Sequence, residues 1–139
     1  MKTETTHLVF IDAGLLVAAA RGVDAIAERA LAILSNPALR FASSRLVQLE
    51  VLPKAHHFGR NTEVSFYNAF FDKVAVWTPL NEATIEQALG EAIRHGLGAM
   101  DALHLVSAAS VAAQLFRSTE RASKPLHRTE LIKVISIAL

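Results

Sequence analysis

The stretch that most limits what this chain can fold into is residues 7–20, HLVFIDAGLLVAAA, an apolar run with one carboxylate in its middle and no lysine or arginine to neutralise it. Leu8, Val9, Phe10 and Ile11 are apolar at successive positions, so both faces of the segment need cover, as in a central strand of a buried parallel sheet. Gly14 then marks the turn into a helix. Asp12 falls at the carboxyl end of that strand. Ligands collect at this edge of open α/β sheets, because the loops diverge there and the following helix N-termini point at the crevice. A plainer role for Asp12 is to cap the helix beginning near Leu15, since Asp is a favoured N-cap. The rest of the chain has to decide between the two.

At 139 residues the chain reads as one domain, residues 1–139, large enough for a single buried core. With 52% hydrophobic and 19% charged residues, it has the composition of a folded domain rather than a solvating chain. A net charge of +1 neither demands nor excludes nucleic acid, which needs a local basic patch and not a basic total. The absence of cysteine excludes disulfides, thiolate zinc sites and a cysteine nucleophile, and it fits a reducing, cytoplasmic setting. Residues 1–7 carry Glu4 and lead into a run that Asp12 interrupts, so neither a signal peptide nor a membrane span is expected.

Hydrophobic spacing predicts helices over 15–20 and 24–34, the second with Ile26, Ala30, Ile33 and Leu34 on one face, and then a brief strand over 39–42. Ser43 or Ser44 is placed to cap a helix whose inward stripe is Leu46, Leu49, Glu50 and Pro53, with Pro53 ending or kinking it. A helix over 63–71 carries Phe66, Tyr67, Phe70 and Phe71, read with Trp77 as core or dimer surface, and 73–77 reads as the third strand. A helix over 81–94 is broken by Gly96 and Gly98. The longest helical pattern runs over 98–114 with Asp101 in its first turn, where the helix dipole favours an acid. Leu115 and Phe116 start a fourth strand, and 131–137 supplies a fifth. The order βααβααβααβ(α)β, without internal repeats, implies an α/β fold with a largely parallel sheet flanked on both faces.

Four acids break apolar surroundings: Asp12 and Glu120 follow strands, Glu50 lies on the apolar stripe of its helix, and Asp101 opens one. Desolvated carboxylates are costly unless paired with a cation or bound to a metal. Arg45 is placed to pair with Glu50 and Arg121 with Glu120, but nothing adjacent in sequence suits Asp12 or Asp101. Acids converging at one sheet edge raise one another's pKa values unless a divalent ion joins them. Mg2+ or Mn2+ is the natural occupant, since hard cations prefer oxygen ligands and keep waters that suit phosphodiester hydrolysis. A zinc site is not expected: His56 and His57 diverge by roughly 100° on a helix, and no His-Glu-x-x-His spacing occurs. His104, one turn after Asp101, reads as a packed histidine, with support of Asp101 as its functional alternative.

Taken together, Asp12-Ala-Gly-Leu-Leu-Val-Ala after a strand, Glu50 in the third helix, Gly98-Ala-Met-Asp-Ala-Leu-His-Leu, and Phe116-Arg-Ser-Thr-Glu-Arg121 resemble a PIN-domain protein. The likeness covers essentially the whole chain, and the size is similar to the VapC-type toxins of bacterial toxin–antitoxin pairs. It implies a three-layer α/β/α domain with about five strands, acting as a metal-dependent endoribonuclease, with an antitoxin protein as partner and homodimers expected. By that resemblance Asp12, Glu50, Asp101 and Glu120 are the catalytic and metal-binding acids. Ser118 and Glu120 together correspond to the family's Thr-x-Asp element. Two positions depart from the pattern: Gly14 stands where many members have Asn or Ser, and Glu120 replaces the more usual Asp.

Ser118, Arg121, Lys124 and Arg128, with His127 among them, follow the fourth strand and form the candidate RNA-binding group, while Arg40, Arg45, Lys54 and Arg60 are placed to border the cleft. An alternative is a catalytically weak PIN-like module that binds RNA or protein. A haloacid-dehalogenase-type phosphatase would need a second Asp where Gly14 stands, and a phosphotransfer receiver would need adjacent acids where only His7 is found.

Overall fold

The computed structural model describes residues 7–138. The expectation that no signal peptide or span begins the chain falls largely on residues 1–6, outside the described residues. Among the described residues no helix is long and apolar enough to cross a membrane.

The strands are β1 (His7–Ile11), β2 (Leu39–Ser43), β3 (Val76–Trp77), β4 (Leu115–Ser118) and β5 (Lys133–Ser136). The helices are α1 (Ala13–Arg21), α2 (Ala25–Leu34), α3 (Arg45–His57), α4 (Asn61–Lys73), α5 (Glu82–His95) and α6 (Ala99–Ser110), with a 3-10 turn at Pro125–Arg128. All strand pairs are parallel, in the order β3-β2-β1-β4-β5. Central β1 is covered from both sides as its sequence requires: Val9, Phe10 and Ile11 are fully buried, with Phe10 opposite Ala42 on one neighbour and Phe116 on the other. The chain first winds outward from β1 to β3 and then returns past β1 to β4. Right-handed crossovers in opposite directions put the helices on opposite faces. Accordingly α1 packs on α2, α3 and α4, while α5 pairs with α6 and touches the 3-10 turn. The reversal of winding lies between β1 and β4, which sets the ends of these two strands beside a crevice.

The element order agrees with the expectation from sequence, and the differences are local. α1 starts at Ala13, so Gly14 lies in its first turn rather than before it. In α3 the buried stripe is Val47, Val51 and Ala55, not Leu46, Leu49, Glu50 and Pro53; Leu49 is 68% exposed. Ser44 caps the Val47 N–H, and the strict four-residue spacing from there outranks the larger side chain at 49. α3 also runs through Pro53 to His57. The carbonyl that Pro53 leaves without a donor belongs to exposed Leu49, where water can serve it.

α4 extends to Lys73 and shortens the third strand to Val76–Trp77 at the sheet edge. α5 runs from an Asn81–Thr84 capping box to Gly96, whose φ of 68° gives the left-handed turn that ends it. At 14 residues it is longer than α6, which stops at Ser110 before Ala112 turns left-handed. The fifth strand spans Lys133–Ser136, shorter than residues 131–137.

Candidate active site

Strand β1 delivers Asp12 to the edge of the sheet, and α1 begins on it. Asp12 is the helix cap, its Oδ1 accepting the Leu15 N–H at 2.8 Å. One capping bond does not exhaust a carboxylate, so the cap leaves Asp12 with acceptor capacity for a second partner, and the residue is only 9% exposed. Burial pushes its pKa up to about 6, against the lowering effect of the Ser118 hydroxyl, the Leu15 N–H and nearby His104; the charge of Asp101 adds to the rise. Ser118, the last residue of neighbouring β4, is fully buried, and its Oγ also accepts the Glu120 N–H at 2.9 Å. The hydroxyl therefore lies beside Asp12 and holds the chain turn that carries Glu120.

Asp101 lies in the first turn of α6, where burial raises its pKa first and the charges of Glu120 and Glu50 raise it further, partly offset by His104. Glu50, a third exposed on the flank of α3, meets the Nε2 of His104. Asp12 thus senses Asp101, and Asp101 senses both glutamates. The expected cations are elsewhere: among the described residues Glu50 is paired with His104 and not Arg45, and Glu120 forms no ion pair with Arg121. Among the described residues no Lys or Arg pairs with Asp12 or Asp101 either.

This donor set fits a hard divalent cation in charge and ligand type, all the acids offering oxygen. Among the described residues, however, no three His, Asp or Glu side chains are gathered closely enough to enclose one ion. Mg2+ is commonly held by one or two carboxylates and keeps several waters, so its binding does not require three protein ligands in one place.

The basic group after Glu120 divides. Arg121 and Lys124 are exposed, with Lys124 N–H bonded to the Arg121 carbonyl at 2.9 Å. Arg128 instead donates to the His95 carbonyl at 3.0 Å, latching the 3-10 turn to the end of α5. His127 Nε2 bonds the Glu120 carbonyl oxygen at 2.9 Å and steadies that acid's backbone.

At two residues the structure departs from or adds to the expectation. His104 serves Glu50, 54 positions away, and not Asp101 on its own helix. Its spacing from Asp101 signalled proximity to the site but could not name the partner. Thr119 is the other: a Cβ on Gly14 would stand 2.6 Å from its Oγ1 and 3.5 Å from Asp12 Oδ1, so Gly14 clears the space the threonine hydroxyl occupies beside the first acid. No local pattern pairs residues 14 and 119; only the β1–β4 adjacency does.

Residues 9–125 match the family profile of the PIN domain. Comparison with the curated proteins gives no match. Among solved structures, the chain is similar to VapBC2 from Rickettsia felis bound to a DNA fragment from their promoter, at 14% identity and a TM-score of 0.69 over 93% of this chain and 98% of that one. It is similar to DNA-bound VapBC from Salmonella typhimurium at 16% identity and a TM-score of 0.69, covering 94% of this chain and 98% of that chain. With VapC20 of Mycobacterium tuberculosis, a sarcin-ricin loop cleaving toxin, it shares 19% identity and a TM-score of 0.61 over 78% of this chain and 86% of the other. The fold is thus one shared with VapC proteins, and the chain belongs to the PIN-domain family.

Proposed function

We propose that this protein is a Mg2+- or Mn2+-dependent endoribonuclease, the toxin of a toxin–antitoxin pair, acting in the cytoplasm. The observation that carries the reading is the set of mutually repelling carboxylates on one edge, with Asp12 and Asp101 both pushed up in pKa and neither given a lysine or arginine among the described residues. The solved relative that cleaves the sarcin-ricin loop supports RNA as substrate, and the two VapBC complexes support an antitoxin as partner. A chain without cysteine suits the reducing compartment.

Asp12 and Asp101 would be the main ligands of the ion, Glu50 a ligand or the group that orients the attacking water, and Glu120 a second-site or water-mediated ligand. A divalent ion bound there lowers the pKa of its water and offsets charge on the phosphoryl oxygens. Ser118 holds the Asp12 carboxylate in place. Arg121 and Lys124 meet RNA phosphates, with Arg128 contributing through the turn it anchors. The homodimer belongs to the same reading, supported by the apolar side chains Ile85, Leu89 and Ile93 exposed along α5.

The test is gel-resolved cleavage of a mixed RNA pool in Mg2+, Mn2+ or EDTA, beside filter binding on the same samples. Asp12→Asn should abolish cleavage and leave binding intact, whereas Lys124→Ala should weaken binding and lower its salt slope by about one unit. Cleavage that persists in EDTA or in Asp12→Asn overturns the mechanism. A second reading, an RNA- or protein-binding module with little catalysis, is favoured by the lack of three closely gathered ligands among the described residues. Binding without cleavage under either metal decides for it.

A further inference from the structure

We propose that His104 is a positioning residue, holding the Glu50 carboxylate beside Asp101 so that it can act, through water, on a cation held by Asp12 and Asp101. This rests on the metal-nuclease reading above. His104 is only 3% exposed, and its neighbours on α6, Leu105, Val106 and Ala108, are buried apolar residues. Its ring lies 5.7 Å from that of Phe10 in the central strand. As packing alone, an imidazole is a poor choice for this place: Nδ1 is buried with no hydrogen-bond partner among the described residues, an orphan that leucine would not create.

What the ring supplies that leucine cannot is a single bond to another helix. Nε2 meets the carboxylate of Glu50, and because an ionised carboxylate only accepts, Nε2 carries the hydrogen. Glu50 needs such a bond. It sits on the flank of α3 with its side chain a third exposed, has no arginine or lysine partner among the described residues, and otherwise keeps the rotamer freedom of a surface glutamate. The hydrogen bond converts a mobile acid into a fixed one close enough for its charge to be felt at Asp101. Groups that hold a ligating carboxylate from behind commonly set metal affinity in this way.

The experiment is a Mn2+ titration of the full chain, followed by the EPR signal of the free ion, together with thermal melting in EDTA. His104→Leu keeps the volume and removes both the bond and the orphan nitrogen. It should melt at or above the parent and lose about 10–100-fold in Mn2+ affinity. His104→Gln, whose amide reaches toward the place of Nε2, should recover most of that loss, and His104→Asn, polar but too short, should not. Glu50→Gln combined with His104→Leu should lose no more than the weaker-binding single variant, because both remove one interaction. If His104→Leu does not fold, the contrast between Gln and Asn decides. Parent-like Mn2+ affinity in His104→Leu or His104→Asn overturns the positioning role alone. A flat titration of the parent overturns the metal-nuclease reading and the positioning role together, so the two failures are distinct.

Discussion

Glu63 and Glu91 are as buried as Asp12, at 8%, 7% and 9% exposure, yet they live in the opposite electrostatic setting. Glu63 has Arg21 Nε at 3.2 Å and Arg60 at 3.9 Å. Glu91 has Arg94 at 4.0 Å, His95 at 3.7 Å and the Thr129 hydroxyl at 3.2 Å. These two acids tie the C-terminal end of α1 to the start of α4, and α5 to the segment after the 3-10 turn. Asp12 and Asp101 have hydrogen bonds or neighbouring acids instead, and no strong cation among the described residues. The same chain therefore supplies guanidinium groups where a carboxylate holds the fold together and withholds them at one sheet edge. Burial alone does not single out a candidate functional acid; burial without a counter-charge does.

Removing one charge from each setting is the strongest way to break that contrast. Asp101→Asn should lower metal-dependent RNA cleavage by a factor of hundreds or more, on the order of 3 kcal/mol or above in transition-state stabilisation. Glu91→Gln, in the paired setting, should leave kcat/KM within about twofold while lowering the melting temperature. Equal losses of activity would mean that both acids act through stability.

The pH dependence of stability should separate the two settings next. With its folded pKa raised to about 6 from 3.8, Asp12 binds its proton more tightly in the native state than in the unfolded chain. Its favourable contribution is fully present below the unfolded value and is lost as pH rises through the folded one. In EDTA, the parent should therefore lose stability between pH 4 and 7 relative to Asp12→Asn by on the order of 3 kcal/mol, read from urea melts at each pH. Mg2+ should restore stability above pH 6 in the parent and do little for the variant, because a ligand bound by the native state alone stabilises by mass action. An identical pH profile in parent and Asp12→Asn would reduce Asp12 to a helix cap.

Arg21→Ala probes the paired setting from its cationic side. Arg60 remains and Arg21 is half exposed, so the loss should be about 1–2 kcal/mol by chemical denaturation, less than for a fully buried pair. Cleavage per folded molecule should not change.

How far the sequence revealed this arrangement depended on the range of the interactions. Residues 8–11, apolar on both faces, announced the central strand, and the alternation of strands and paired helices announced the parallel sheet, because both are local consequences of burial. Asp12 was recognisable as an acid in an apolar context and is buried, whereas Asp101 is only partly buried and Glu50 and Glu120 lie exposed, because the apolar neighbours in sequence turn to other faces. The phase of α3 departs from the one that Leu49 and Pro53 suggest: the helix obeys the spacing of the smaller Val47, Val51 and Ala55 instead. The third strand is shorter than its apolar run suggests because Lys73 closes α4, Val74 caps it and Ala75 bends, its N–H bonded to the Phe41 carbonyl at 2.9 Å, before the strand begins at Val76. The Glu50–His104 bond and the Gly14–Thr119 fit span 54 and 105 positions, and no period or motif joins such residues before the sheet is assembled.

The smallest expected effect tests that last fit, and with it the claim that the site edge is shaped as closely as the paired acids are. A Cβ at Gly14 falls 2.6 Å from Thr119 Oγ1, inside contact distance, whereas the Thr119 Cβ is 3.9 Å away. Gly14→Ala must push the threonine side chain aside, and overpacking of this kind costs about 1–2 kcal/mol. The gain in helix propensity on replacing glycine in the first turn of α1 offsets part of it, up to about 1 kcal/mol. The net change in the parent background should thus be a loss below about 1.5 kcal/mol. In a Thr119→Ala background the clashing oxygen is gone, the Cβ-to-Cβ contact is ordinary, and only the propensity gain remains, so Gly14→Ala should become neutral or stabilising. The double-mutant cycle reads the difference as a coupling of about 1 kcal/mol, measured by urea unfolding in EDTA so that metal affinity does not enter. Additive effects would show that Thr119 swings away freely and that Gly14 is not reserved for it.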